Sequence, residues 1–330
     1  MAHCCRAAIL LATLVILCTV VVAAQDQPNG TDDATFRVEV QLVQLDVQVL
    51  QKKGLRQVGT LTKDDFELYE DGARQQIADI SRDQLPLSVV LLFDLTDSVR
   101  PVLKPLANGA LAALQHLKPE DEVAVMVYAA KTRLLQDFTT NHNKVVTAIK
   151  KASKMESSEK AFFNEAIYEA SAQLERANNP KSRRVIIWLT DNVPNVPSDL
   201  QYTEAEAIRK TFETGSVVSA LVERSEISDV MSAADARNPL LMWSRSHHPP
   251  GDVNQYAELT GGEVMKSGRD EVSTKLAELI DQIRTRYTLG YYPSGNQPKG
   301  KFCEVKVQIR SESQKRVGRV IVRTKQGYYR

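Results

Sequence analysis

The sequence predicts an α/β protein: a doubly wound, mostly parallel sheet (Rossmann-like) with an accessory β module formed from N- and C-terminal segments. Three observations lead there. Apolar runs at Val89–Phe93, Val123–Tyr128, Val185–Leu189 and Ser216–Val222 lack polar alternation, as strands covered on both faces do. Amphipathic helical stretches separate them, the βαβ alternation of a parallel sheet. Segments of alternating strand pattern flank this region at both ends of the chain.

The N-terminus stands apart. Arg6 precedes an unbroken run of apolar and small residues from Ala7 to Ala24, and Val22–Ala23–Ala24 offers small residues for cleavage. Residues 1–24 are therefore expected to be a secretory signal peptide, the alternative being a membrane anchor if the segment stays uncleaved. Three of the four cysteines lie inside it, so the mature chain keeps Cys303 alone, expected to be a buried strand residue. With 42 basic and 41 acidic residues, the charge balance gives no sign of a nucleic-acid partner. The expected location is secreted, periplasmic or cell envelope.

Residues 25–35 form a polar, flexible lead. In 36–83, Phe36, Val38, Val40 and Leu42 alternate with polar residues, and Val43, Leu45, Val47 and Val49 alternate in the opposite phase, so a bulge or crossover is expected between them. Lys52–Lys53–Gly54 reads as a turn. Thr62 with Asp65 is a weak capping box for one helical turn. Phe66–Tyr69 and Gln75–Ile80 read as short strands joined at Glu70–Asp71–Gly72.

Residues 84–286 carry the αβ alternation. After the first apolar run, Leu103, Leu106, Ala107, Ala110, Leu111, Leu114 and Leu117 mark one helix face. Lys131–Leu135 suggests an antiparallel edge hairpin, and Val145–Ile149 a short helix. Ala161, Phe162, Ala166, Ile167, Ala170 and Leu174 form the next stripe. Lys181, Arg183 and Arg184 read as a solvated basic loop before Val185–Leu189. Tyr202–Phe212 and Val253–Leu259 read as helices, Pro239–Pro250 as a loop with His247 and His248, and Gly262–Met265 as a strand. Val272, Leu276, Leu279, Ile280 and Ile283 mark the last helix. Residues 287–330 return to β pattern, with Tyr287–Tyr292, then Cys303, Val305, Val307 and Ile309 in alternation, and a final strand over Val317–Thr324. This tail is expected to pair with 36–83, and Tyr287, Tyr291, Tyr292, Tyr328 and Tyr329 to pack that β module.

Two apolar runs end in carboxylates, Asp94 and Asp191. If their strands are neighbours, these acids converge with Thr96 and Ser98 at the C-terminal edge of the sheet, where open α/β sheets place ligands. Oxygen-only donors suit a hard cation such as Mg²⁺.

At these residues the chain resembles von Willebrand factor A (VWA) domains, and more closely an exported bacterial, Acidobacteria-type branch of VWA-related proteins. The resemblance rests on VQLVQLDVQVLQKKG, LTKDDFELYEDG, PLSVVLLFDLTDS, the WLTD strand end at 188–191, RTRYTLGYYPSG, KGKFCEVKVQIR and TKQGYY. It implies a metal-ion-dependent adhesion site of the form Asp-x-Ser-x-Ser, a later Thr and a later Asp. Asp94–Leu95–Thr96–Asp97–Ser98 keeps a hydroxyl at each required place, and Asp191 matches the later Asp. The position of the Thr is held by Lys160, a cationic donor with no acceptor. Two outcomes stay open: Mg²⁺ or another divalent ion held by Asp94, Thr96, Ser98 and Asp191, or a metal-free crevice in which the Lys160 ammonium replaces the cation.

The sequence has no GxSxG elbow, Gly-rich phosphate loop or zinc spacing, so no enzyme is expected. The expected function is an exported, adhesion-type protein-binding protein with a degenerate metal site, its partner meeting it through an acidic side chain. The alternative is a structural or assembly component of the cell envelope with a metal-free crevice.

Overall fold

The structure, a computed structural model, describes residues 42–82, 85–156, 160–193, 202–223, 251–295 and 298–330, all within one compact unit, Val40–Arg330. The expected signal peptide, the phase change before Val43 and the Pro239–Pro250 loop lie wholly or partly outside the described residues.

The central sheet has six strands. In chain order they are β5 (Leu87–Asp94), β6 (Glu122–Tyr128), β7 (Arg133–Thr139), β8 (Arg183–Thr190), β9 (Val217–Glu223) and β10 (Val264–Ser267). Their spatial order is β10-β9-β8-β5-β6-β7, parallel except for β7, which runs antiparallel along the edge. Every residue of β5 and β6 is buried, which explains why those runs carry no polar alternation.

Helices cover both faces. Val89, Leu91 and Phe93 point into a core made with α1 (Arg100–Leu114), α2 (His142–Ala152) and α6 (Val272–Arg284). Val90 and Leu92 point the other way, against α3 (Phe163–Leu174), α4 (Glu204–Thr214) and α5 (Val253–Thr260). The strand period of two thus splits one apolar run between two cores.

The chain ends build the accessory module. One antiparallel sheet has the order β13 (Val320–Arg323), β1 (Val43–Gln51), β11 (Tyr287–Tyr291), β4 (Ile77–Arg82). The other has the order β14 (Gly327–Tyr329), β12 (Phe302–Ile309), β2 (Phe66–Glu70), β3 (Ala73–Gln75). Each sheet mixes strands from both ends, and they enclose one apolar cluster containing Leu45, Val47, Phe66, Leu68, Leu289, Val305 and Cys303. Asp71 and Gly72 both adopt positive φ, which lets the β2–β3 turn follow the twist of its strands.

Three expectations need correction. The final strand expected over Val317–Thr324 is present but shorter, as β13 (Val320–Arg323), with an unexpected helix, α7 (Ser311–Val317), closed by Gly318 at φ 85° before it and the additional β14 after it. Helix α7 is held by tertiary contacts: Ser313 Oγ and Arg316 both donate to Asp65 Oδ1, at 2.6 and 2.8 Å. Tyr287, Tyr291 and Tyr328 are buried in the module, whereas Tyr292 is exposed. The third correction concerns Arg183. It lies within β8 rather than on a solvated loop and is 3% exposed. Its Nε donates to Asp46 of β1 at 2.8 Å, and Nη1 to the Ile283 carbonyl at 2.5 Å. The polar face of β1 needs partners where it meets the αβ layer, and Arg183 supplies one.

Candidate functional site

The candidate site lies where β5 and β8, paired in parallel, end side by side. Asp94 closes β5 fully buried, and Asp191 follows β8 directly. Their hydroxyl neighbours link them: Thr96 Oγ1 and Ser98 Oγ are 3.1 Å apart, and Ser98 Oγ donates to Asp191 Oδ2 at 2.5 Å. Asp94, Thr96, Ser98 and Asp191 therefore meet at one crevice. Val99 then leads into α1, whose Pro101 sits in the first turn, where a missing N–H costs nothing.

The Asp94 carboxylate is held on both oxygens. Oδ1 accepts from the Thr96 N–H at 2.8 Å; Oδ2 accepts from Tyr128 Oη at 2.8 Å and Thr190 Oγ1 at 3.1 Å. Tyr128 is fixed in turn by Trp188 Nε1, which donates to Oη at 2.8 Å. Burial first, and the charge of Asp191 second, push the Asp94 pKa up to about 6 from 3.8, against the lowering effect of the Thr96 and Tyr128 hydrogen bonds. Two acids share a dry site, and one of them is driven toward its protonated form.

Sequence reasoning missed three residues here. Tyr128 and Thr190 orient Asp94. Glu223 ends β9 almost fully buried, with Arg269 Nε donating to Oε1 at 3.2 Å. Its pKa is raised by burial, and the charge of Asp191 adds to the rise. Each of the three ends an apolar strand run as Asp94 does, so the shared strand-end position was the available signal. Lys160 is exposed, on the extended stretch before α3, and its neighbours Ala161 and Phe162 are buried. Among the described residues, no group of three or more His, Cys, Asp or Glu side chains is placed to hold a metal ion. The donor set at the crevice is different in kind: two carboxylates and two hydroxyls, all hard oxygen donors. Such donors are of the kind that could hold a small divalent cation.

Residues 89–193, from β5 through the turn after β8, match the family described as the von Willebrand factor type A domain. That stretch is thus similar to domains of this superfamily. Solved structures with a similar course include BatB from Bacteroides thetaiotaomicron, at 14% identity over 60% of this chain and 98% of that one, with a TM-score of 0.40. Another is the von Willebrand factor type A protein from Catenulispora acidiphila, at 12% identity over 83% and 71%, TM-score 0.44. The pilus adhesin SpaC from Lactobacillus rhamnosus GG is similar at 10% identity over 86% and 47%, TM-score 0.43. No curated protein matches the sequence. Among the described residues no helix is long and apolar enough to cross a membrane.

Proposed function

We propose that the protein is an exported binding module whose crevice grips an acidic side chain of a protein partner through a divalent cation such as Mg²⁺. Asp94, Thr96, Ser98 and Asp191 would hold the ion. Waters and the partner carboxylate would fill the remaining positions of its octahedral shell. The observation that carries this reading is the joining of both acids by the Thr96 and Ser98 hydroxyls, beside a buried Asp94 whose pKa is raised. Export is part of the same reading, supported by Arg6 and the apolar run that follows it.

Lys160 sets the strength of the site. An ammonium reaching the crevice from there would repel a cation and attract the partner's acid directly. Calorimetric titration with Mg²⁺ tests the cation reading and the repulsion by Lys160. Binding is expected in the native chain, loss of at least tenfold in affinity in Asp94→Asn and Asp191→Asn, and a gain in Lys160→Thr. Absence of Mg²⁺ and Mn²⁺ binding in both the native chain and Lys160→Thr would leave a metal-free crevice and overturn the cation reading.

A further inference from the structure

The opposite end of the parallel sheet has the reverse electrostatic problem. A pocket of about 210 Å³ opens between the N-terminal end of β8 and the polar face of β1. Lys181, Arg183, Arg184 and Lys325 line it, facing one carboxylate among the described residues, Asp46. That carboxylate is already engaged: Arg183 Nε donates to Oδ1 at 2.8 Å, and Thr288 Oγ1 at 3.4 Å.

The surplus of positive charge extends behind the pocket wall. Arg286 is fully buried, donates through Nη1 to the Gly261 carbonyl at 2.7 Å, and leaves Nε and Nη2 without a hydrogen-bond partner among the described residues. Burial, and next the charge of Arg183, lower its pKa to about 10. The other carboxylate of this seam, Glu263, is taken by Arg323 at 2.9 Å and by Gln48 Nε2 at 3.3 Å. Lys325 has no ion pair among the described residues. Its Nζ lies 5.6 Å from the Tyr328 ring centroid, and burial lowers its pKa. Arg184 spends Nη1 on the Thr214 carbonyl at 2.9 Å, which fixes its guanidinium at the rim. Cations held in place around a small cavity with too little negative charge form an anion site, because a bound oxyanion supplies the compensation that the chain omits.

We infer that the pocket lined by Lys181, Arg184 and Lys325 binds a small tetrahedral oxyanion of the phosphate class, either free or as a phosphomonoester. This site is separate from the cation crevice: it stands on other residues, at the other end of the strands.

Calorimetry and thermal unfolding of the full chain, with inorganic phosphate and with sodium chloride at matched ionic strength, test it. Phosphate is expected to bind and to raise the melting temperature, whereas chloride is not. Lys325→Met and Arg184→Gln are each expected to weaken phosphate binding at least tenfold, and Asp94→Asn to leave it unchanged. Arg184 is partly exposed, so its variant keeps the test valid if Lys325→Met fails to fold. O-phosphoserine in place of phosphate separates the sources: tighter binding of the ester points to a phosphorylated ligand, and weaker binding to the free ion. Equal effects of phosphate and chloride, or native-like phosphate binding in folded Arg184→Gln, would overturn the inference.

Discussion

The two ends of the central sheet differ in the sign of their charge and in what that charge touches. At the C-terminal end, Asp94, Asp191 and Glu223 close three adjacent strands, β5, β8 and β9, and the charge of Asp191 adds to the burial that raises the pKa of Asp94 and Glu223. At the N-terminal end, Arg183 and Arg286 are buried against the accessory module and share Asp46 and Glu263 with Arg323 and Lys325. The first cluster lies at the strand termini, its carboxylates buried and Ser98 half-buried beside them. The second joins two layers of one fold, so most of its charges answer one another across the seam. Like charges therefore crowd together at the crevice, whereas at the seam opposite charges pair across a structural joint.

The comparison can be broken first at the joint. Replacing Arg183 by Met leaves Asp46 facing the αβ layer without its partner, and urea unfolding is expected to show a loss of about 3–5 kcal/mol. A loss below about 1 kcal/mol would mean that the seam is held by packing alone.

The second test is pH dependence at the crevice. Asp94 titrates near 6 in the fold against 3.8 for an unperturbed side chain, so between about pH 4 and 6 the folded state keeps a proton that the unfolded state has lost. The stability linked to this proton is fully present below about pH 4 and lost as pH rises through 6, some ~3 kcal/mol in all. Urea unfolding across that range should show this decline, and Asp94→Asn should flatten it. Saturating Mg²⁺ should offset it at neutral pH if the ion binds the carboxylate. A native profile identical to that of Asp94→Asn would show that Asp94 is ordinary.

The smallest effect is expected at Tyr128. Tyr128→Phe removes a donor to Asp94 and the acceptor of the Trp188 N–H, both buried. A loss of roughly 1–3 kcal/mol should follow. The midpoint of the Asp94-linked pH profile should also move above 6, because a hydrogen bond that favours the charged form is gone. An unmoved midpoint would assign the orientation of Asp94 to Thr96 and Thr190 alone.

Local pattern carried much of this architecture. The apolar runs became β5, β6, β8 and β9, and the phase of Leu45, Val47 and Val49 was that of a strand facing an apolar cluster. Asp94, Thr96 and Ser98 share one short turn, so their proximity is written into adjacent positions. Helix α7 was not legible: Ser311–Val317 has too few apolar residues to show a period, and its anchors, Ser313 and Arg316, act on Asp65 far away in sequence. Arg183 misled for a related reason. A basic triplet before a strand looks solvated until a carboxylate from β1 is brought to meet it.

The sequence by itself determined the strands, the hydroxyl turn and the acids that end β5 and β8, because burial on both faces and turn chemistry act over a few residues. Only the tertiary structure decided which groups those acids and arginines face. Tyr128 and Thr190 reach Asp94 from neighbouring strands, and Asp46 reaches Arg183 from 137 residues away. Electrostatic partnership depends on distance in space, and strand order, which local sequence does not encode, sets that distance.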